Sequence, residues 1–179
     1  MDIVGKLKLI WRRLAVWLAG RSLRSKKELA GLVASLGFLS AEDKNLLAAA
    51  LKFPEVKLSQ IMIPKSKISF IRETAHLGPK VLDELYATGQ KFFPVAHHSL
   101  EDTVGVIYLE NIAEVAKGEQ TLQEATHLRP PILSQKQSLA EVLRLMLNQN
   151  ANLALVADEQ GKIVGAVELL AILEVLLGR

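Results

Sequence analysis

Val104-Gly105-Val106-Ile107-Tyr108-Leu109 precedes Ile112, Glu114 and Val115, and sixty positions later Val164-Gly165-Ala166-Val167-Glu168-Leu169 precedes Ile172, Glu174 and Val175. The helical stripes upstream keep the same offset, with Leu82, Leu85 and Tyr86 against Val142, Leu145 and Met146. So do two short apolar strands, Phe93-Pro94-Val95-Ala96 against Leu153-Ala154-Leu155-Val156. Two copies of one supersecondary unit are the economical reading. Each copy reads as a short strand, a helix, two strands in a hairpin and a closing helix, which makes the fold class α+β. In the second copy Asp158-Glu159-Gln160-Gly161 supplies the turn between Leu153–Ala157 and Ile163–Glu168. Neither unit is large enough to be comfortable alone, so the two are expected to pack face to face around a shared cleft.

Working outward from the repeat, residues 25–54 read as a helical hairpin. Ser25-x-x-Glu28 opens a helix with Leu29, Leu32, Val33 and Leu36 turned inward and Gly37 at its end. Ser40-x-x-Asp43 opens the next, with Leu46, Leu47, Ala50 and Leu51 as its buried stripe and Pro54 stopping it. Before that, residues 1–24 carry Ile3, Leu7, Ile10, Leu14 and Trp17 at helical spacing. Trp11, Arg12, Arg13 and Trp17 are the expected membrane-contacting residues of a helix lying in the headgroup plane of an anionic leaflet. The alternative is a helix that packs on another subunit or on this chain; the wide apolar face argues against a nucleic-acid arm.

The chain has 179 residues and a net charge of +3, and half of it is hydrophobic. That is enough for a buried core and excludes a disordered tail. There is no Cys, which removes disulfides, thiolate metal sites and a cysteine nucleophile, and fits a reducing compartment. The charge is uneven. Eight of the 22 basic residues fall within residues 1–27 against Asp2 alone, leaving 14 basic against 18 acidic side chains in the rest. An anionic partner should therefore meet the N-terminal arm and not the body.

Several motifs stand in one order along residues 55–179: Gln60-Ile-Met-Ile-Pro-Lys-Ser66, Phe93-Pro-Val95, Ser99-Leu-Glu-Asp-Thr-Val-Gly-Val-Ile-Tyr-Leu109, Leu128-Arg-Pro-Pro131 and Val156-Ala-Asp-Glu-Gln-Gly161. Together they resemble the CBS-domain pair of the CorC-like (cyclin-M related, hemolysin C-like) magnesium and cobalt efflux family. The resemblance implies tandem CBS domains related by a pseudo-twofold, with repeats at 55–118 and 119–179. It also implies a regulatory module without enzymatic activity, which binds an adenine nucleotide, ATP or AMP with magnesium, and is linked to divalent-cation transport. In that family a membrane domain precedes the pair. This chain is therefore expected to be either a relative without that domain or the cytosolic part of a longer protein, cytoplasmic and peripheral at the inner face of the cell membrane. The partners implied are adenine nucleotide, the membrane surface or a membrane transporter, and a second copy, with no nucleic acid. The homodimer would form through the closing helices (Ile112, Val115; Ile172, Leu173, Leu176, Leu177).

CBS pairs hold nucleotide with a Gly-h-h-Thr-x-x-Asp element, whose Asp accepts the ribose hydroxyls. The first copy reads Gly105-Val-Ile-Tyr108-Leu-Glu-Asn111, and Asn111 can still hydrogen-bond a ribose. In the second, Glu168 would repel phosphate and Ala171 cannot hold ribose. The resemblance thus places the nucleotide site in the first unit, on Lys65, Ser66, Ile68, Lys91, Pro94, Tyr108 and Asn111. The alternative is a CBS pair that has lost its ligand and serves as a dimerisation scaffold. His97-His98 with Glu101 and Asp102 read as a solvated hairpin loop and not a metal site, His76 and His127 lack partners at ligand spacing, and no catalytic motif is present.

Overall fold

The computed structural model describes residues 25–119, 121–127 and 129–178; the arm carrying Trp11, Arg12, Arg13 and Trp17 lies outside them. The chain divides into two units, residues 1–51 and 52–179. In the first, α1 (Lys26–Ser35) starts where Ser25 Oγ accepts the Glu28 N–H at 3.2 Å. The next helix, α2 (Ala41–Lys52), starts at a reciprocal pair in which Asp43 Oδ2 accepts the Ser40 N–H and Ser40 Oγ the Asp43 N–H. Its expected stripe is not buried. Leu46 and Leu47 are 42% and 41% exposed, and no residue of the helix is buried, because none of the described residues covers that face.

The second unit holds the repeat. The order is β1 (Ile63–Pro64), β2 (Ile71–Arg72), α3 (Pro79–Ala87), β3 (Phe92–Ala96), β4 (Thr103–Tyr108), α4 (Leu109–Lys117), α5 (Leu122–Ala125), β5 (Ile132–Ser134), α6 (Leu139–Asn148), β6 (Leu153–Ala157), β7 (Ile163–Glu168) and α7 (Leu169–Leu177). One sheet runs β2-β3-β4 and the other β1-β7-β6-β5. In each, the short strand joins parallel to the middle one and the hairpin is antiparallel. The expected strand–helix–hairpin–helix unit is present twice.

The sixty-residue offset holds for β4 and β7 and for α4 and α7, which end on Gly118 and Gly178 in the left-handed region at φ 77 and 76. It does not hold for the middle strands. Phe92 is registered opposite Tyr108, whereas Leu153 is registered opposite Glu168, so Phe92 and not Phe93 corresponds to Leu153. The hairpin loop at 97–102 is one residue longer than that at 158–162, and the strand shifts to absorb the difference.

The leading segments of the two repeats are exchanged. β1, near the start of the first repeat, pairs with β7 of the second (Ile63 with Ala166, Pro64 with Gly165). In return His127, near the start of the second repeat, bridges Val106 of the first. This reciprocity is what a twofold relation between the copies requires. It also explains the two glycines that recur at the same place in each repeat. A Cβ on Gly105 would run into Thr126 Cγ2 and the His127 carbonyl oxygen, and one on Gly165 into the Ile63 carbonyl oxygen with Met62 Sδ beside it.

Both faces of the sheets are covered. Ala154, Val156, Val167, Leu139, Val142, Met146 and Ile172 form the helix side of the second repeat, and Phe53 and Leu58 from the leading segment complete that core. Phe93, Val95, Ile107, Leu85 and Ile112 form its counterpart in the first. Leu153, Leu155 and Ala157, on the opposite face of β6, meet Leu100 and Val106 between the repeats. Every residue of β6 is therefore buried, and full burial of each Leu or Val stabilises by about 1.5–3 kcal/mol. Ile112 and Ile172 have no exposed surface, so they belong to these cores and not to a face for a second copy. On α7 it is Leu170 and Leu177, about half exposed, that face outward.

Candidate functional site

The strand exchange decides which residues share a site. The expected set does not come together. Lys65, Ser66 and Lys67 form a single turn directly after β1, so they follow the strand that flanks β7. Lys65 is ion-paired with Glu101, whose carboxyl this contact holds below its ordinary value. Ile68 packs into the inter-repeat core and Pro94 is buried within β3. Asn111 lies in the first turn of α4. Lys91 and Tyr108 do meet, in a groove of about 420 Å³ with Tyr86, Phe92, Leu109 and Glu110.

A larger cavity, of about 500 Å³, opens where the first repeat's hairpin meets the segments that enter the second. Phe92, Val106 and Tyr108 form one wall; His127, Arg129, Pro130 and Pro131 a second; Gln149, Asn150, Ala151, Asn152 and Leu153 the third. This is within the size range of small-ligand sites. Each wall has a local cause. The Tyr108 ring is held edge-on between Phe92 (4.9 Å between centroids) and His127 (4.6 Å). His127 is fixed by its backbone, whose N–H donates to the Val106 carbonyl at 2.8 Å. The amide wall follows α6. Asn150 adopts φ 49, the left-handed conformation that ends a helix, and the Ala151 N–H closes back on the Met146 carbonyl at 2.9 Å. Asn152 Nδ2 donates to the Tyr108 hydroxyl oxygen at 2.9 Å, tying the third wall to the first across the two repeats.

Chemically the cavity offers aromatic and proline faces, three amide side chains and Arg129, and no carboxylate lines it. These features suit a planar base or a sugar with a small anionic group. They do not suit a bare metal ion. Among the described residues no group of three His, Asp or Glu side chains could hold a metal.

On the other copy, Glu168 stands where the first has Tyr108. Burial pushes its carboxyl above the ordinary value, Lys91 of the first repeat opposes that, and Glu174 adds to it. In the hairpin loop, His97 Nδ1 pairs with Glu73 at 2.7 Å. Asp102, in the same loop, accepts the Ser99 and His98 N–H groups, which hold its carboxyl below the ordinary value.

The sequence reading assigned His127, Arg129, Pro130, Gln149, Asn150 and Asn152 to no site, although they line this cavity. The run Asn148-Gln-Asn-Ala-Asn152, amide-rich and directly ahead of a buried strand, was the available signal.

With this geometry in hand, comparison with known proteins is informative. A CBS domain model matches residues 123–178. The chain has the fold of a CBS-domain pair. A UPF0053 protein of Mycobacterium tuberculosis is 29% identical over 185 residues, covering 97% of this chain and 40% of its own length. The magnesium and cobalt efflux protein CorC of Pasteurella multocida is 22% identical, covering 87% and 53%. The chain thus spans about half or less of the curated relatives it matches. Among solved structures, the CBS domain of a bacterial CNNM/CorC family Mg2+ transporter superposes with a TM-score of 0.69 at 23% identity, covering 88% of this chain and 98% of that one. The same domain in complex with ATP gives 0.61 at 23%, covering 76% and 97%. A CBS-domain pair with bound AMP from Klebsiella pneumoniae gives 0.54 at 21%, covering 69% and 99%. The resemblance to a CorC-like CBS pair and the α+β tandem fold are both borne out. Among the described residues, no helix is long and apolar enough to cross a membrane.

Proposed function

We propose that this chain is a non-enzymatic regulatory module whose cavity between the repeats binds an adenine nucleotide and converts occupancy into a change in the angle between them, linked to divalent-cation transport. The observation that carries this reading is the 500 Å³ cavity, because three of its walls come from segments that both repeats contribute. A ligand bridging Tyr108, Arg129 and Asn152 would favour one inter-repeat geometry over others. Relatives named as transporters, and CBS structures holding ATP or AMP, support the ligand class and the process.

The basic amphipathic sequence of residues 1–24 supports a place at the inner face of the cell membrane. Titration calorimetry with ATP, ADP and AMP, with and without magnesium, tests the ligand; absence of heat and of any thermal shift at millimolar nucleotide removes it. Flotation with anionic liposomes tests the arm, and unchanged flotation after Trp11→Ala with Arg12→Glu and Arg13→Glu removes its role.

One feature supports a second reading, a dimerisation scaffold. α7 is apolar around its whole circumference apart from Glu174, and Leu170 and Leu177 stand half exposed. A monomer by sedimentation at high micromolar concentration would dispose of it.

A further inference from the structure

We infer that the apolar face of α2 is an intramolecular docking site, and that its occupant is the apolar stripe of residues 1–24. The inference is independent of the cavity and its ligand. It starts from an imbalance in the hairpin. α1 buries Val33 and α2 buries no residue, while Leu46 and Leu47 stand 42% and 41% exposed and Phe38, between the two helices, 82% exposed. Leu46, Leu47 and Ala50 recur at the spacing of one helical face. Helices of 10 and 12 residues are marginal in water by themselves and persist by burying an amphipathic face. The face on α2 therefore calls for a cover, which a pair of helices with one buried residue does not supply.

Residues 1–24 meet that need in reach, length and chemistry. They join the hairpin at Ser25, the N-cap of α1, so a cover drawn from them is tethered and acts at an effective concentration of order millimolar. Ile3, Leu7, Ile10, Leu14 and Trp17 extend over about 22 Å at helical rise, against about 18 Å for α2. Residues 18–24 include Gly20 and can span about 24 Å, enough to turn the stripe back along α2. Lys6, Lys8, Arg12 and Arg13 lie largely off the stripe and would stay hydrated in the docked arrangement. A second copy would have to find the same face without the tether. The stripe cannot lie on α2 and in a leaflet at once, so docking makes the hairpin a competitor of the membrane for this arm.

Trp11 and Trp17 are the two tryptophans of the chain, so its tryptophan fluorescence reports on the arm alone. The test measures emission wavelength and acrylamide quenching of the full chain, without lipid, in the unaltered protein, in Leu46→Glu with Leu47→Glu, and in Leu7→Glu with Leu14→Glu. The first pair puts a good helix former at exposed positions of α2. The second leaves the hairpin untouched, so local unfolding of α2 in the first cannot imitate the result. The unaltered protein should emit to the blue of free tryptophan, shielded from quencher and unchanged on dilution. Both variants should shift to the red and lose the shielding, and α2 amides should lose protection from hydrogen exchange in Leu7→Glu with Leu14→Glu. Emission like that of free tryptophan in the unaltered protein overturns the inference, as does a blue shift that survives Leu46→Glu with Leu47→Glu. So does α2 protection left unchanged by the arm variant. A blue shift that vanishes on dilution gives the stripe to a second copy and overturns it as well.

Discussion

The two repeats share a topology and differ in what secures each one. The second draws Phe53 and Leu58, from the chain entering the first, into its core, and its middle strand is buried on every residue. Its helix α6 opens on a full capping box, Ser138 with Glu141, where α3 of the first opens on Gly78 with no side-chain cap. The first, in turn, offers Phe92 and Tyr108 as cavity wall where the second has Leu153 and Glu168. The second copy is the anchor, and under the proposed function the first supplies the aromatic part of the recognition face. Each of the following measurements bears on that division.

The largest effect is expected at Leu58, fully buried in the core of the second repeat although it stands at the start of the first. Leu58→Ala should destabilise the protein by about 3–4 kcal/mol by chemical denaturation, with second-repeat amides losing protection from hydrogen exchange before first-repeat ones. The reverse order would refute the anchor assignment. Gly105→Ala and Gly165→Ala should each cost about 2–3 kcal/mol, and by similar amounts, since each Cβ meets the backbone of an exchanged segment. A large disparity between them would break the twofold equivalence.

Glu168 gives a pH signature that the first repeat lacks. Its carboxyl holds a proton more tightly folded than unfolded, so its contribution is fully present below about pH 4.5 and is lost as pH rises through the elevated folded value. Glu168→Gln should flatten that part of the stability–pH curve; Tyr108→Phe should not. The smallest effects lie at the helix caps. Ser138→Ala should cost about 1 kcal/mol, whereas Gly78→Ser should gain a few tenths, both read from thermal midpoints.

The fold was legible because its strongest signals are local. Gly105 and Gly165 repeat at a fixed offset inside apolar strands, and the capping residues at 25, 40 and 138 open helices where the sequence places them. The strand exchange was not legible. β1 has two residues, Ile63 and Pro64, too few for any periodicity to reveal a partner more than a hundred positions away. The expected site residues are divided between the two sheets for the same reason. Lys65 and Ser66 belong with Asn111 to the first repeat in sequence, yet they follow the strand that joins the other sheet. Arg129 sat within a quoted motif but gained meaning only when His127 was seen pairing with Val106. Asn150 takes a conformation usually left to glycine, and nothing in its neighbours announces that. The inward stripe expected on α2 failed differently: helical spacing shows that a face is apolar, not that something covers it.

The crossing of the leading segment fixes where a pull would be felt. α2 runs to Lys52, and the very next residue, Phe53, is embedded in the far half of the pair. The chain thus inserts into the second repeat, at Phe53 and Leu58, before it lays down any strand of the first repeat's own sheet.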